Sequence, residues 1–223
     1  MQRSIGIITI GQTPRVDMIP SIERFLPPNT KIIEKGALDG KSSYELLKLV
    51  PEEGQTTLIS RLRDGGSAIM AKEKILPIIQ QLIDELNEEG VAFIIIACTG
   101  KFPKFNSSVP VIYPDYLLNF IVKGLFREGS IGVIVPLQSQ VESIMSKWGE
   151  GGFKSIAECC SPYDFDESQL IEVVERLNKE SIHTIVLDCM GYTEEMKTIV
   201  RNHTSKPVIL SRNMIYNVAM ELI

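Results

Sequence analysis

Hydrophobic positions fall into two textures along the chain. Short runs at 4–10, 31–35, 92–97, 110–113, 130–135, 154–159, 184–188 and 207–210 are rich in Ile and Val, and several are apolar without alternation. Runs of that kind suit strands covered on both faces, as in a parallel sheet. Longer stretches between them repeat apolar residues every three or four positions. In 72–88 the stripe is Ile75, Ile79, Leu82, Ile83 and Leu86; in 167–180 it is Leu170, Val173, Val174 and Leu177. That spacing predicts amphipathic helices. Asp166 and Glu167 at the start of the second suit the positive end of a helix dipole. Strand and helix alternate, which predicts βαβ units, the α/β class and mainly parallel sheets. One segment departs from the rhythm. TTLISRLR, DGGS and AIMA, at 56–71, read as a β-hairpin around an Asp-Gly turn.

The strands also repeat. SIGIITIGQ at 4–12 matches SIGVIVPLQ at 130–138, an offset of 126. IIIACTG at 94–100 matches IVLDCMG at 185–191, an offset of 91, and PVIYPDYLLNF at 110–120 matches PVILSRNMIYN at 207–217, an offset of 97. The order is preserved, so the chain reads as two copies of one unit, with about 35 extra residues in the first copy where the hairpin falls. The expected architecture is two pseudo-symmetric, flavodoxin-like parallel-sheet lobes with a hairpin insertion in the first. The expected division is 1–113 with 211–223, and 114–210. By repeat symmetry the last helix, 211–222, packs back on the first lobe. No Pro/Gly/Ser-rich linker separates the halves.

Composition narrows the function. A chain of 223 residues with 44% hydrophobic and 23% charged residues has globular proportions, which excludes disorder and fibrous repeats. The net charge of −5 and the scattered basic residues argue against nucleic-acid binding. No apolar run approaches the roughly 18 to 20 residues that a membrane span needs. The opening MQRSIGIITIGQTPR reads as a first strand and not as a signal peptide, so the expected location is cytoplasmic. In that reducing compartment Cys98, Cys159, Cys160 and Cys189 are expected as thiols. His183 and His203 are the only histidines, and no C-x-x-C or H-x-x-x-H spacing points to a metal. Neither a metal nor a cofactor is expected, and a homodimer is compatible with the small lobes.

In open parallel sheets ligands bind beyond the carboxyl ends of the strands. Four loops there carry chemistry: GQTPR at 11–15, ACTG at 97–100, PLQSQ at 136–140 and DCMGYT at 188–193. The repeat places Cys98 and Cys189 equivalently, so both are expected to face one cleft. One thiolate then removes a proton beside a carboxylate, and the opposite thiol returns one to the other face. Both cysteines are read at strand-to-helix turns, where free N–H groups lower a thiol pKa and bind a carboxylate. Arg15, read on a first helical turn with Pro14 at its start, is a candidate bidentate clamp that Asp17 can hold in place. Gln12, Thr13, Thr99, Gly100, Gln138, Met190, Gly191 and Thr193 complete the candidate substrate-binding set. Cys159, Cys160, Tyr192 and Trp148 read as packing residues, and Asp164, Asp166 and Glu167 as a helix start. Asp188, beside Cys189, is placed to raise the thiol pKa by repulsion.

Paired strand-end cysteines followed by small or hydroxyl residues, in two repeated α/β lobes, resemble the aspartate/glutamate racemase superfamily. The opening GIITIGQTPRVDMIP, with GALDG at 36–40 and the ACTG and DCMGYT loops, resembles the AroM family specifically, over essentially the whole chain. The superfamily resemblance implies cofactor-independent racemase, isomerase or decarboxylase chemistry on a small carboxylic acid. The AroM family carries no settled activity to transfer. Two departures matter. Glutamate racemases have Asp-Ser after the first strand, where this chain has Gly11-Gln12-Thr13, and Thr-His after the second cysteine, where it has Met190-Gly191. They argue against plain amino-acid racemisation. They favour an alternative, a small-carboxylate binding or regulatory protein without turnover, linked to aromatic amino-acid metabolism. A cysteine-nucleophile hydrolase ranks last, because neither motif has a histidine base nearby.

Overall fold

A computed structural model describes residues 3–223. The elements follow in chain order: β1 (Ser4–Thr9), α1 (Ile19–Glu23), β2 (Lys31–Gly36), α2 (Ser43–Lys48), β3 (Thr57–Arg61), β4 (Ser67–Ala71), α3 (Lys72–Glu88), β5 (Ile94–Ile96) and β6 (Val111–Ile112). They continue with α4 (Pro114–Phe126), β7 (Gly129–Val135), α5 (Val141–Glu150), β8 (Phe153–Cys159), α6 (Glu167–Asn178), β9 (Ile185–Leu187), α7 (Glu194–Asn202), β10 (Val208–Leu210) and α8 (Ser211–Ala219). Two compact units result. One comprises residues up to Pro114 together with Tyr216–Ile223, and the other Asp115–Ile215. The boundary passes through α8.

Each unit holds a four-stranded, wholly parallel sheet. The first is ordered β2-β1-β5-β6 and the second β8-β7-β9-β10, which is the same order in repeat terms. The architecture is therefore α/β with two parallel-sheet lobes. The central strands are apolar because helices cover both faces: Ile5, Ile7, Ile8, Ile131, Val133 and Ile134 are all buried. The insertion is an antiparallel hairpin of β3 and β4. Its turn is longer than a two-residue Asp-Gly loop. Leu62 N–H bonds to Gly66 O, and Gly65 takes a φ of +91° that favours glycine.

The helical stripes form as their spacing requires. Ile75, Ile79, Ile83 and Leu86 of α3 enter the first core, and Leu170, Val173, Val174 and Leu177 of α6 the second. Asp166 caps α6, accepting from the backbone N–H of Ser168 and Gln169. The repeated glycine of the SIG motif has a packing cause. A Cβ on Gly6 would stand 2.7 Å from Leu86 Cδ1, and one on Gly132 would stand 2.7 Å from Ile182 Cδ1 and 3.3 Å from the Leu177 methyls. In each lobe the central strand touches the end of a covering helix through a missing side chain. Among the described residues no helix is long and apolar enough to cross a membrane.

Two expectations about local structure are corrected. Arg15 is not on a helix: residues 11–18 form an irregular loop, with a cis Thr13-Pro14 peptide, and α1 begins at Ile19 with Pro20 in its first turn. Cys98 is not at a strand-to-helix turn either. No helix follows β5, because Phe102 and Phe105 of the 101–110 segment are drawn into the core and Phe105 stacks on Tyr113.

Gly6→Ala and Gly132→Ala should each destabilise by about 1–3 kcal/mol through overpacking. Gly124→Ala, in α4 with open space at its Cβ position, should stabilise by about 0.5–1 kcal/mol. Urea denaturation of the three variants checks the sign of each change.

Candidate functional site

In the first unit Cys98 follows β5, half-buried against the core, and Gly100 N–H donates to its Sγ at 3.4 Å. Thr99 between them is buried. A Cβ on Gly100 would stand 2.9 Å from Leu58 Cδ2 and 3.4 Å from the Cys98 sulfur, so the hairpin leaves room only for glycine. The β1 loop is tied to neighbouring segments. Gln12 donates from Nε2 to Leu38 O and accepts Arg63 N–H on Oε1. Thr13 gives its hydroxyl proton to Asp39 Oδ2 at 2.6 Å and its backbone N–H to Asp39 Oδ1 at 2.8 Å.

Arg15 is engaged within its own unit. The side chain is buried, and its Nε and one terminal nitrogen hold Asp17 at 2.8 Å each. The other terminal nitrogen donates to Thr9 Oγ1 at 2.7 Å and Ser60 Oγ at 3.2 Å. Asp17 therefore does more than hold a clamp: it occupies the bidentate edge that a substrate carboxylate would need. Arg15 thereby joins β1, the loop and the hairpin.

In the second unit Cys189 follows β9 and precedes α7. Gly191 N–H donates to its Sγ at 3.3 Å, repeating the arrangement of the first unit. The sulfur also lies 3.4 Å from Tyr163 Oη. Met190 is buried, and its carbonyl accepts from Nε and a terminal nitrogen of buried Arg212 at 2.9 and 2.6 Å. Tyr192 is buried and donates to Cys160 O at 2.7 Å. Thr193 caps α7, its hydroxyl oxygen accepting from Met196 N–H. Gln138 is exposed on a 3-10 turn, Gln138–Gln140.

Asp188 also differs from expectation. Its carboxylate is buried beneath the loop, where Oδ2 accepts from Lys147 Nζ at 2.6 Å and Trp148 Nε1 at 2.8 Å. Lys147 thus sets an opposite charge directly against it. Trp148 is buried edge-on to Phe153 and is a packing residue with one polar tip.

The chain matches the AroM protein family from residue 5 to residue 223. It belongs to the AroM family. No curated protein matches it. Among solved structures, this AroM chain is similar to a glutamate racemase from Bacillus anthracis, with a TM-score of 0.63 and 16% identity, covering 99% of this chain and 81% of that one. Allantoin racemase from Klebsiella pneumoniae gives 0.62 and 15%, covering 99% and 87%. An unliganded arylmalonate decarboxylase gives 0.63 and 16%, covering 99% and 92%. At such identities the likeness establishes the aspartate/glutamate racemase-like fold.

The remaining groups of the AroM site divide by burial. None of the four cysteines forms a disulfide. Burial pushes the Cys160 thiol up to about 11, with Cys159 and Asp166 adding to it, and raises Cys159 with help from Glu158. Neither is a candidate thiolate at neutral pH. His183 and His203 are exposed, beside Ser130 O and Ile199 O respectively. Among the described residues no group of three His, Cys, Asp or Glu side chains is placed to hold a metal. Sequence reasoning missed Tyr163, Lys147, Asp115 and Arg212. Asp115 and Arg212 occupy matching places in the third repeated segment, and a charge in both copies was a usable signal.

Asp115 yields a pH prediction. Burial raises its carboxyl to about 6, with nearby Lys147 opposing and Asp188 reinforcing the shift, and Oδ1 is buried without a hydrogen-bond partner. The unfolded group titrates near ~3.9, so the folded state holds the extra proton between about pH 4 and 6. This contribution to stability is present below that window and is lost as pH rises through it. Asp115→Asn should therefore be more stable than wild type by about 1–2 kcal/mol at pH 8. The advantage should vanish by pH 4, as read from melting temperatures across pH.

Proposed function

We propose that this AroM family chain is a cofactor-independent isomerase, racemase or decarboxylase acting on a small carboxylic acid, with Cys98 and Cys189 as opposed acid and base. One observation carries the reading: at equivalent strand ends, each sulfur receives a backbone N–H from the glycine two residues further on. A donated hydrogen bond favours the charged form of a thiol, and in a racemase or isomerase both sulfurs must reach that form in turn. The similar folds support the class, since they include racemases and a decarboxylase.

In this reading the backbone around Thr99, Gly100, Met190 and Gly191, with the hydroxyls of Thr99 and Thr193 and the exposed amide of Gln138, meets the carboxylate and the charge that develops beside it. Gln12 and Thr13 shape the loop. Arg15 is left out, because Asp17 holds its fork. Proton removal by one sulfur leaves an enolate-like carbanion, and proton delivery by the other completes the change. The mechanism needs both sulfurs to reach one carbon from opposite sides.

A second reading, a binding protein without turnover, is favoured by one observation. Gln12 and Thr13, which stand where glutamate racemases carry Asp-Ser, are held by internal hydrogen bonds.

Small amino, hydroxy and malonic acids incubated with the protein in deuterated solvent separate the two. The enzyme reading predicts exchange or loss of CO₂ with at least one of them. It predicts turnover lowered by about 10²- to 10⁴-fold in Cys98→Ala and in Cys189→Ala, with the fold intact by circular dichroism. Exchange that persists in the double variant refutes the two-base mechanism. Carboxylate protection of both thiols from alkylation, with no exchange in any acid, selects the binding protein.

A further inference from the structure

We propose that Tyr163 is a positioning residue that makes Cys189 the resting base of the pair and leaves Cys98 as the proton donor. This deepens the two-cysteine reading and rests on it.

A phenol and a backbone N–H converge on the Cys189 sulfur: Tyr163 Oη lies 3.4 Å away and Gly191 N–H donates at 3.3 Å. A phenol titrates near ~10 and a thiol near ~8.5, so when one proton leaves this pair the sulfur ionises and the O–H donates to it. The backbone that carries the phenol is held in place. Ser161 Oγ accepts Tyr163 N–H at 3.1 Å and Asp164 N–H at 3.3 Å, which fixes the turn after β8. Tyr192 reaches back from the cysteine loop to Cys160 O at 2.7 Å. Each of the two loops thus sends a tyrosine to the other. Gly191 is the clearance that permits it: a Cβ there would stand 2.8 Å from Tyr163 Oη and 3.0 Å from Pro162 Cγ.

The first unit has no such phenol at the matching place. The last pair in register is Thr9 with Gly36 in one sheet and Val135 with Cys159 in the other. Four residues beyond those strand ends stand Gly40, which has no side chain, and Tyr163. A Cβ on Gly100, two residues after Cys98, would meet a Leu58 methyl instead. Both sulfurs are half-buried against apolar cores, and at Cys189 a phenol hydroxyl is added beside the sulfur. The other titratable groups facing Cys189 do not compete for the role. Asp188 is paired with Lys147, and burial keeps Cys159, Cys160 and Tyr192 protonated. The proton balance closes. Cys189 S⁻ takes the proton from the substrate carbon, the C–H electron pair stays on that carbon, and Cys98 S–H returns a proton to the opposite face. The cycle ends with the charge on Cys98, and proton exchange with solvent resets it.

Alkylation of the full-length protein with iodoacetamide across pH, resolved for each cysteine by mass spectrometry, tests this without substrate. In Tyr163→Phe the midpoint of the Cys189 profile should rise by about one pH unit while that of Cys98 stays put. Gly191→Ala, which displaces the phenol while keeping it in the chain, should shift Cys189 in the same direction. Wild-type Cys189 should ionise at lower pH than Cys98. An unchanged Cys189 midpoint in both variants, or equal shifts in both cysteines, overturns the proposal. Persistent exchange in the double cysteine variant would sink the two-base reading while leaving this thiol measurement intact, so the two failures are distinguishable.

Discussion

A sulfur that receives a backbone N–H from two residues further along the chain needs a tight turn and an unobstructed approach. Cys98 with Gly100 and Cys189 with Gly191 meet both conditions at the carboxyl ends of parallel strands. The glycine matters for what surrounds it as much as for its backbone, because a methyl group would strike Leu58 in one unit and Tyr163 in the other. These contacts hold each sulfur against a fixed amide dipole.

Buried charge secures the frame around each loop. Arg15 with Asp17, and Lys147 with Asp188, are ion pairs whose cations are buried, each completed by neutral hydrogen-bond partners such as Thr9, Ser60 and Trp148. Pairs of this kind add little net stability over a well-packed apolar alternative, yet removing one partner strands a buried charge and costs about 3–5 kcal/mol. Their effect is to specify geometry. Lys147 pins the strand end just before Cys189, and Arg212 pins the carbonyl just after it. In the first unit Arg15 ties the β1 loop to the hairpin insertion, so the extra residues buttress the loop as well as lengthen the chain. The two copies share their sulfur–glycine turn and differ in what presses on it.

Repeats and stripes were legible because they follow from local rules. The strands, the α3 and α6 faces, the hairpin, the Asp166 cap and the packing role of Trp148 are visible in the order of residues alone, since each depends on periodicity or on a neighbour a few positions away. The repeated glycine of the SIG motif was visible too, although its cause, the Leu86 and Ile182 side chains overhead, was not. The failures share a reason. Arg15 has the right chemistry for a carboxylate clamp, but a carboxylate two residues away reaches it first. Asp188 looked like a repulsive neighbour until Lys147, 41 positions earlier, came to lie against it.

By itself the sequence determined the α/β class, the duplicated strand order, the family and the two cysteines that stand in matching places. Tertiary structure decided which charged groups are open to a ligand and which are satisfied internally, and it alone set Tyr163 against Cys189. The physical reason is that hydrophobic periodicity is written locally, residue by residue. The partner of a buried polar atom is chosen by which distant segment folding brings within about 3 Å, and no spacing along the chain records that distance.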